Sequence, residues 1–490
     1  MSVCGWQAAP GLFTDFYQLT MAHGYWRSGM ADLEACFGLS FRENPFEGGF
    51  TVACGLEQAL DYLTAMRFES ADLEFLATRT GNDGAPLFDP AFLDWLADFR
   101  FLGDVDAVPE GTLVFPGEPI VSVTGPIIGA QLAETALLNI INFQSLVATK
   151  AARVCLAAAG DPVVEFGLRR AQGPDGGLSA SRAAYVGGCT GTSNVLAAMT
   201  FGIPEAGTHA HSWVMAFDDE RAAFDAYADA MPNNCTFLVD TFDTLEGVHN
   251  AVATARDLQE AGHEFIGIRI DSGDLAWLSR RAREILDEGG FSSAKIVASN
   301  ELDEHLIESL KDQGAAIDVW GVGTKLVTAN GQPALGGVYK LSAVRRPSGE
   351  WQPRIKLSEQ SVKTTVPGVL GVRRYLDADG SPEGDMVYDT GTPPVGETVM
   401  LDPADPTRRK HFESGYPAEE LLVPVIRAGR QVYQSPPLEE IRRRTGEQVA
   451  RLDPTRRRFL NPHTYPVGLE QSLHERRQRL ILEAKGLSQR

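Results

Sequence analysis

The middle of the chain carries a rhythm that few folds accommodate. Short apolar runs recur there, each followed at once by glycine, polar or charged residues. They begin at Val163, Ala184, Glu205, Thr236, Phe265, Lys295, Asp318 and Gly337. Helix-like stretches from Thr244 to Gly262, Leu275 to Gly289 and Asp303 to Gly314 separate several of them. Buried apolar strands alternating with helices read as parallel α/β. Seven or eight such strands predict an irregular parallel α/β barrel, with function gathered at the carboxyl ends of the strands. An open doubly wound sheet is the alternative that the pattern leaves standing.

The flanks read differently. Before the rhythm, Thr14 is a good N-cap with Asp15 in the first turn, and the helix that follows is expected to send Phe16, Leu19 and Met21 into a core. A strand-rich stretch from Val108 to Ile128 precedes an Ala/Leu-rich helix from Ala130 to Ala159. Beyond about Arg345 the rhythm stops. Pro417 to Arg490 turns basic and helical, with Arg442, Arg443, Arg444 and Arg456, Arg457, Arg458 reading as solvated or subunit-facing helix surface. The expected division is an N-terminal α+β domain (1–135), a catalytic α/β barrel (136–345) and a small C-terminal region (346–490) packing on the N-terminal domain or a dimer partner.

Composition excludes several classes of function. No apolar run reaches the roughly 18 residues a membrane helix needs, and Met1 to Pro10 lacks the pattern of a secretory signal; a cytoplasmic protein is expected. The cysteines Cys4, Cys36, Cys54, Cys155, Cys189 and Cys235 are scattered without a C-x-x-C pair, which argues against zinc ribbons and disulfide frameworks. A net charge of -21 argues against nucleic acid or anionic membrane as partner. Small anionic ligands would need local arginines to reverse that field.

The expected strand ends supply them. Gly167, Arg169 and Arg170 follow the first run, and Gly191-Thr192-Ser193-Asn194 the second. Thr208, His209 and His211 follow the third, and Asp240 the fourth. Arg269, Asp271, Ser272, Gly273 and Asp274 mark the fifth, Ser299 and Asn300 the sixth, Gly321, Gly323 and Thr324 the seventh, and Gly336-Gly337 flank the eighth. Glycine turns let backbone N–H groups approach phosphate oxygens, arginines clamp phosphate or carboxylate, and carboxylates hold Mg²⁺ or set a histidine tautomer. Each feature alone is weak; their agreement describes a site for a multiply phosphorylated, magnesium-bound ligand. His209 and His211 are spaced so that, on a strand, both face one way and could share a metal, as in barrel metallohydrolases. No further histidine falls at an expected strand end to complete such a site.

The same residues resemble a known family. Thr14-Asp15-Phe16-Tyr17-Gln18-Leu19-Thr20-Met21, Phe166-Gly167-Leu168-Arg169-Arg170-Ala171, Gly207-Thr208-x-Ala210-His211-Ser212, Arg269-x-Asp271-Ser272-Gly273-Asp274, Gly321-x-Gly323-Thr324 and Gly336-Gly337-Val338-Tyr339-Lys340-Leu341 run in the order of nicotinate phosphoribosyltransferases. The resemblance covers about Gly11 to Leu341. It implies that nicotinate and phosphoribosyl pyrophosphate give nicotinate mononucleotide and pyrophosphate, coupled to ATP hydrolysis. That is the first step of NAD salvage from nicotinate. It makes His211 the transiently phosphorylated residue and leaves His209 unassigned. It assigns nicotinate contacts to Tyr17, Thr208 and Arg269, with Phe166 as a second wall. It assigns Thr324 to the phosphoribosyl donor, and the strand-end reading adds Arg169, Asn300, Gly321, Gly323, Gly336 and Gly337. Asp240 and Asp271 are the candidates for orienting His211 and the hydrated metal. Mg²⁺ is expected to arrive with ATP and phosphoribosyl pyrophosphate, held mainly through pyrophosphate and near Asp271, with no dedicated protein metal site and no tightly bound organic cofactor. A homodimer is implied by the resemblance alone.

Alternatives remain at this level. Nicotinamide-using relatives carry an aspartate where Ser193 stands and a glutamate where Ala210 stands, and both differences favour the acid. Quinolinate-using relatives are much shorter chains. A metal-dependent barrel hydrolase using His209 and His211, or a non-catalytic nucleotide-binding protein, would be the readings from other classes.

Overall fold

The computed structural model describes residues 10–347, 349–357 and 364–487. The chain divides into two compact units: Met1–Leu146 with Ala334–Arg490, and Val147–Pro333. The central unit is therefore narrower at both ends than the expected 136–345.

The central unit is built on a six-stranded parallel sheet. Its order is Gly191–Thr192, Val163–Glu165, Val319–Val322, Lys295–Ala298, Gly267–Ile270 and Thr236–Leu238. Most of the inner residues are fully buried, as parallel strands covered by helices require: Val163, Phe237, Ile268, Ile296 and Trp320 are all 1% exposed or less. Four of the six strand ends turn into a helix through a capping side chain. Asp243 accepts from the Glu246 N–H (3.0 Å), Asp274 from Trp277 (3.0 Å), Asp303 from Leu306 (2.9 Å) and Asn194 from Ala197 (3.2 Å). Each such cap contributes about 1 kcal/mol and fixes where the strand-end loop stops.

The eight expected strands are not all found. Ala184, Tyr185 and Val186 are the buried last turn of the helix Pro174–Val186. A short apolar run serves a helix face as well as a strand, so periodicity could not separate the two. Glu205 makes only an isolated parallel bridge to Thr192. Gly337 opens the antiparallel strand Gly337–Arg345, which belongs to the other unit. Among the described residues no backbone pairing joins Thr236–Leu238 to the segment around Glu205, so the wall is not closed by a continuous ladder. The Leu238 N–H at that open edge donates instead to the His209 ring, at 3.2 Å to Nε2.

The other unit joins the two ends of the chain. Its seven-stranded sheet runs Gln352–Pro353, Gly337–Arg345, Glu34–Phe41, Val121–Pro126, Asp104–Ala107, Val423–Arg427, Arg430–Gln431, with antiparallel pairing throughout. Gly337 must be glycine there, because a Cβ would stand 2.1 Å from Asn142 Oδ1. A second, six-stranded sheet of the C-terminal segment packs Tyr375, Met386, Met400 and Phe412 into a small core. Leu438–Arg451, which carries Arg442 to Arg444, and Gln471–Ala484 are helices, but Ala418–Glu420 and Val423–Arg427 are strands within the stretch expected to be helical. The N-terminal helix is Phe16–Arg27, capped at Asp15 rather than Thr14. Asp15 turns its carboxylate to the Thr135 hydroxyl (2.9 Å), so the cap position makes no side-chain cap bond. Leu19 is buried, whereas Phe16 is 55% exposed and does not enter the core.

Candidate active site

The carboxyl ends of the central strands bring most of the expected residues together. Arg269 and Asp271 leave Gly267–Ile270 and its first loop position, on one face because they are two residues apart. Arg269 is the hub. Its Nη2 donates to Asp271 Oδ1 (3.0 Å), its Nη1 to the Thr208 hydroxyl (3.2 Å) and its Nε to the Ser299 hydroxyl (2.7 Å). Ser299 passes its own proton to Asp271 Oδ1, so cation, hydroxyl and carboxylate form a closed ring of bonds. The Arg269 guanidinium carbon lies 5.5 Å from the centre of the Phe166 ring. That ring is seated on the Gly321 backbone, where a Cβ would stand 2.6 Å from it. Gly321 thus makes room for an aromatic wall.

His211 begins the short helix His211–Val214. Its Nδ1 is 3.1 Å from the Thr241 hydroxyl, and its Nε2 is 3.8 Å from Asp271 Oδ2. Asp271 is therefore the carboxylate that faces His211. Asp240 plays a different part: its Oδ2 accepts from the Asp271 N–H (2.9 Å) and the Ser272 hydroxyl (2.6 Å), fixing the loop that presents Asp271.

His209 does not share a ligand with His211. Ala210 is the N-cap of the His211 helix, so strand alternation ends there and the two rings diverge. The His209 ring packs among Phe224, Tyr227 and Phe237, accepts the Leu238 N–H, and is driven by burial to a pKa of about 4. Among the described residues no three His, Cys, Asp or Glu side chains gather as a metal site. The two histidines thus have separate surroundings, His209 in an aromatic core and His211 beside Thr241 and Asp271.

Behind Phe166 lies a network the sequence did not announce. Glu165, fully buried, accepts from the Gly167 N–H, from Ser181 (2.8 Å) and from Thr192 (2.6 Å). Asn194 joins through Ser181 (3.1 Å). The carboxylate ties the Gly167 turn, the helix Pro174–Val186 and the strand Gly191–Thr192 to one point. Ser193 stays exposed and gives its N–H to the Glu165 carbonyl at 2.9 Å.

Among the described residues no side-chain hydrogen bond or ion pair ties the remaining expected residues to this hub. Arg169 is exposed on the turn Leu168–Arg170. Asn300 holds φ +106°, a conformation that costs a non-glycine residue about 1–3 kcal/mol and clusters at ligand-binding loops. Gly323 caps Thr324–Val327, and the Thr324 hydroxyl reaches Glu301 at 3.4 Å. Tyr17, half exposed, and Gly336 and Gly337 belong to the other unit. Thr241, Ser272 and Ser299 were missed as partners of the named residues. The one available signal was their position next to a strand-end carboxylate.

Comparison with known proteins gives the family of the chain. Residues 12–142 match the profile of the nicotinate phosphoribosyltransferase N-terminal domain, 162–377 that of the nicotinate phosphoribosyltransferase family, and 371–477 that of its C-terminal domain. A nicotinate phosphoribosyltransferase of Bacillus subtilis is 42% identical over 478 residues, spanning 97% of this chain and 96% of its own. This chain belongs to the nicotinate phosphoribosyltransferase family. The human member is 38% identical over 524 residues, 95% of this chain and 96% of its own. The crystal structure of human nicotinic acid phosphoribosyltransferase superposes with a TM-score of 0.85 at 36% identity, covering 96% of this chain and all of that one. Nicotinate-nucleotide pyrophosphorylase from Pyrococcus furiosus, 23% identical, shares the fold with a TM-score of 0.68. The family places the chain among enzymes of NAD biosynthesis. Among the described residues no helix is long and apolar enough to cross a membrane.

Proposed function

We propose that the chain converts nicotinate and phosphoribosyl pyrophosphate to nicotinate mononucleotide and pyrophosphate, coupled to ATP hydrolysis through a phosphohistidine at His211. The Arg269–Phe166 pair carries this reading: a guanidinium beside an aromatic wall suits a planar ring bearing a carboxylate. Thr208, already bonded to Arg269, extends the same edge, and Tyr17 is the contribution assigned to the N-terminal helix.

Displacement of pyrophosphate at the anomeric carbon passes through a cationic, oxocarbenium-like state. The protein then has to position the ring nitrogen, hold negative charge near the sugar and neutralise the leaving group. Arg269 holds the substrate carboxylate. Arg169, Asn300, the glycine turns at Gly321 and Gly323, and Thr324 take the phosphates; Gly336 and Gly337, in the other unit, stay assigned to them by the sequence reading alone. Mg²⁺, when bound with the substrates, would neutralise pyrophosphate charge. Asp240 Oδ1, buried and without a hydrogen-bond partner among the described residues, and Asp271 are the groups that fit it or its waters.

For the ATP step, Asp271 can only accept a proton, so it favours the tautomer with hydrogen on Nε2. Nδ1 then carries the lone pair, solvated by the Thr241 hydroxyl. Attack on the γ-phosphorus forms the N–P bond as the bond to ADP breaks, and water later releases phosphate.

We read the central sheet as an irregular barrel whose last gap is spanned by His209 rather than by a strand pair. The exposed side chains Val195, Leu196, Met199, Met215 and Phe242, all in the central unit, support a homodimer. A cytoplasmic location goes with this reading. Product analysis tests the function: Mg²⁺ and phosphoribosyl pyrophosphate are supplied with nicotinate, nicotinamide or quinolinate, with and without ATP. Nicotinate mononucleotide formed preferentially and faster with ATP supports the reading; preference for nicotinamide sinks it.

A further inference from the structure

A cavity of about 270 Å³ opens in the unit formed by the two ends of the chain, and every described residue lining it belongs to that unit. Part of its lining is one face of an antiparallel strand pair: Gly38 and Ser40 on one strand, and Val338, Lys340 and Ser342 on its neighbour, every second residue in turn. Leu370, Val387 and Leu469 of the C-terminal sheet add apolar wall. None of the strand-end residues assigned above lines it.

The charges are one-sided. Arg42, Lys340 and Arg477 line the cavity, and among the described residues no aspartate or glutamate does, in a chain with 65 acidic against 44 basic residues. Neither Arg42 nor Lys340 has an ion pair or side-chain hydrogen bond among the described residues. Arg477 is only 5% exposed, and burial pushes its pKa down. Its guanidinium donates only to main-chain carbonyls, Nη2 to Thr364 (3.2 Å) and Nε to Thr365 (3.3 Å). A buried guanidinium with no carboxylate partner costs stability, and its remaining N–H donors need acceptors. Arg477 is buried, Lys340 half-buried and Arg42 exposed at the rim, and among the described residues none of the three has a carboxylate partner.

We propose that this cavity binds a small organic phosphate. Arg477, Lys340 and Arg42 take the dianion, which three cations suit better than a single carboxylate does. Val338, Leu370 and Leu469 cover its organic body. The volume lies just below the roughly 300–1,000 Å³ of ligand pockets, so the occupant is a compact ester rather than a dinucleotide.

Crystals of the full chain soaked separately in phenyl phosphate and inorganic phosphate locate the site. Calorimetry on the wild type and on an Arg42→Gln/Lys340→Gln variant measures its affinity. The expected result is phosphate density among the three cations with both probes. Phenyl phosphate should bind about tenfold tighter than inorganic phosphate and about tenfold weaker in the variant. Absence of density at the three cations, or unchanged affinity in the variant, overturns the site. Equal affinity for the two probes overturns the organic body of the ligand. The soak uses the native chain, so its outcome does not depend on the variant folding.

Discussion

Arg269 and Asp271 form an ion pair at 3.0 Å that occupies one carboxylate oxygen, while the other oxygen of Asp271 lies 3.8 Å from His211 Nε2. One carboxylate thus links the cation assigned to the substrate with the histidine assigned to ATP. The Asp240 bond to the Asp271 N–H and the Ser299 bond to its side chain leave it little freedom to turn.

Asp271→Asn is expected to reduce ATP-stimulated turnover about 100-fold, because an amide no longer selects the Nε2–H tautomer. The slow rate without ATP should fall less. His211→Ala should abolish the ATP stimulation altogether while slow ATP-independent synthesis persists. Initial rates with and without ATP check both, and an unchanged ATP effect in His211→Ala would remove that residue from the phosphoryl step.

Arg269→Lys is expected to raise the KM for nicotinate at least about tenfold, since a point charge cannot serve Asp271, Ser299 and Thr208 in one plane and still meet a carboxylate. Steady-state kinetics with nicotinate as the varied substrate reads this. An unaltered KM would place the substrate carboxylate elsewhere.

Gly321→Ala puts a methyl group against the Phe166 ring and should displace that wall. The expected outcome is a rise of about tenfold in the KM for nicotinate with a smaller change in kcat. In a Phe166→Ala background the glycine substitution should have little further effect, and a double-mutant cycle measures that coupling.

Burial holds His209 neutral, with a pKa of about 4 against 6.5 for an unrestrained histidine. Below about pH 6.5 the unfolded chain takes up a proton that the folded chain refuses until about pH 4. Stability contributed by His209 is therefore full above pH 6.5 and is lost as the pH falls through that window, by up to about 3 kcal/mol. His209→Gln, which keeps an acceptor for the Leu238 N–H, should flatten this part of the profile. Urea unfolding at pH 7.0, 5.5 and 4.5 reads the difference.

Much of the site was legible because strand-end residues announce themselves by type: Arg269, Asp271, Thr208 and His211 meet as their positions implied. What failed has physical causes. Ala184 to Val186 is equally apolar as strand or helix, and only its place at the end of Pro174–Val186 decides. Gly337 opens a strand whose partner, Glu34–Phe41, lies far off in sequence, so nothing local assigns it to the other sheet. Glu165 reads as one more strand residue; its bonds to Ser181 and Thr192 exist only after the helix Pro174–Val186 and the strand Gly191–Thr192 have packed beside it. Asp240 and Asp271 seemed interchangeable until geometry separated the one that faces His211 from the one that holds the loop.

The seven-stranded sheet has a consequence for how the chain is made. Glu34–Phe41 pairs with Gly337–Arg345, and Asp104–Ala107 with Val423–Arg427, so strands that leave the ribosome first wait for partners that leave near the end. Val147–Pro333, by contrast, is continuous and can collect its own contacts as it emerges. During synthesis the N-terminal strands have unpaired edges for most of the translation time. The half-made chain is thus the form most exposed to mispairing, and the last strands to arrive complete the first unit begun.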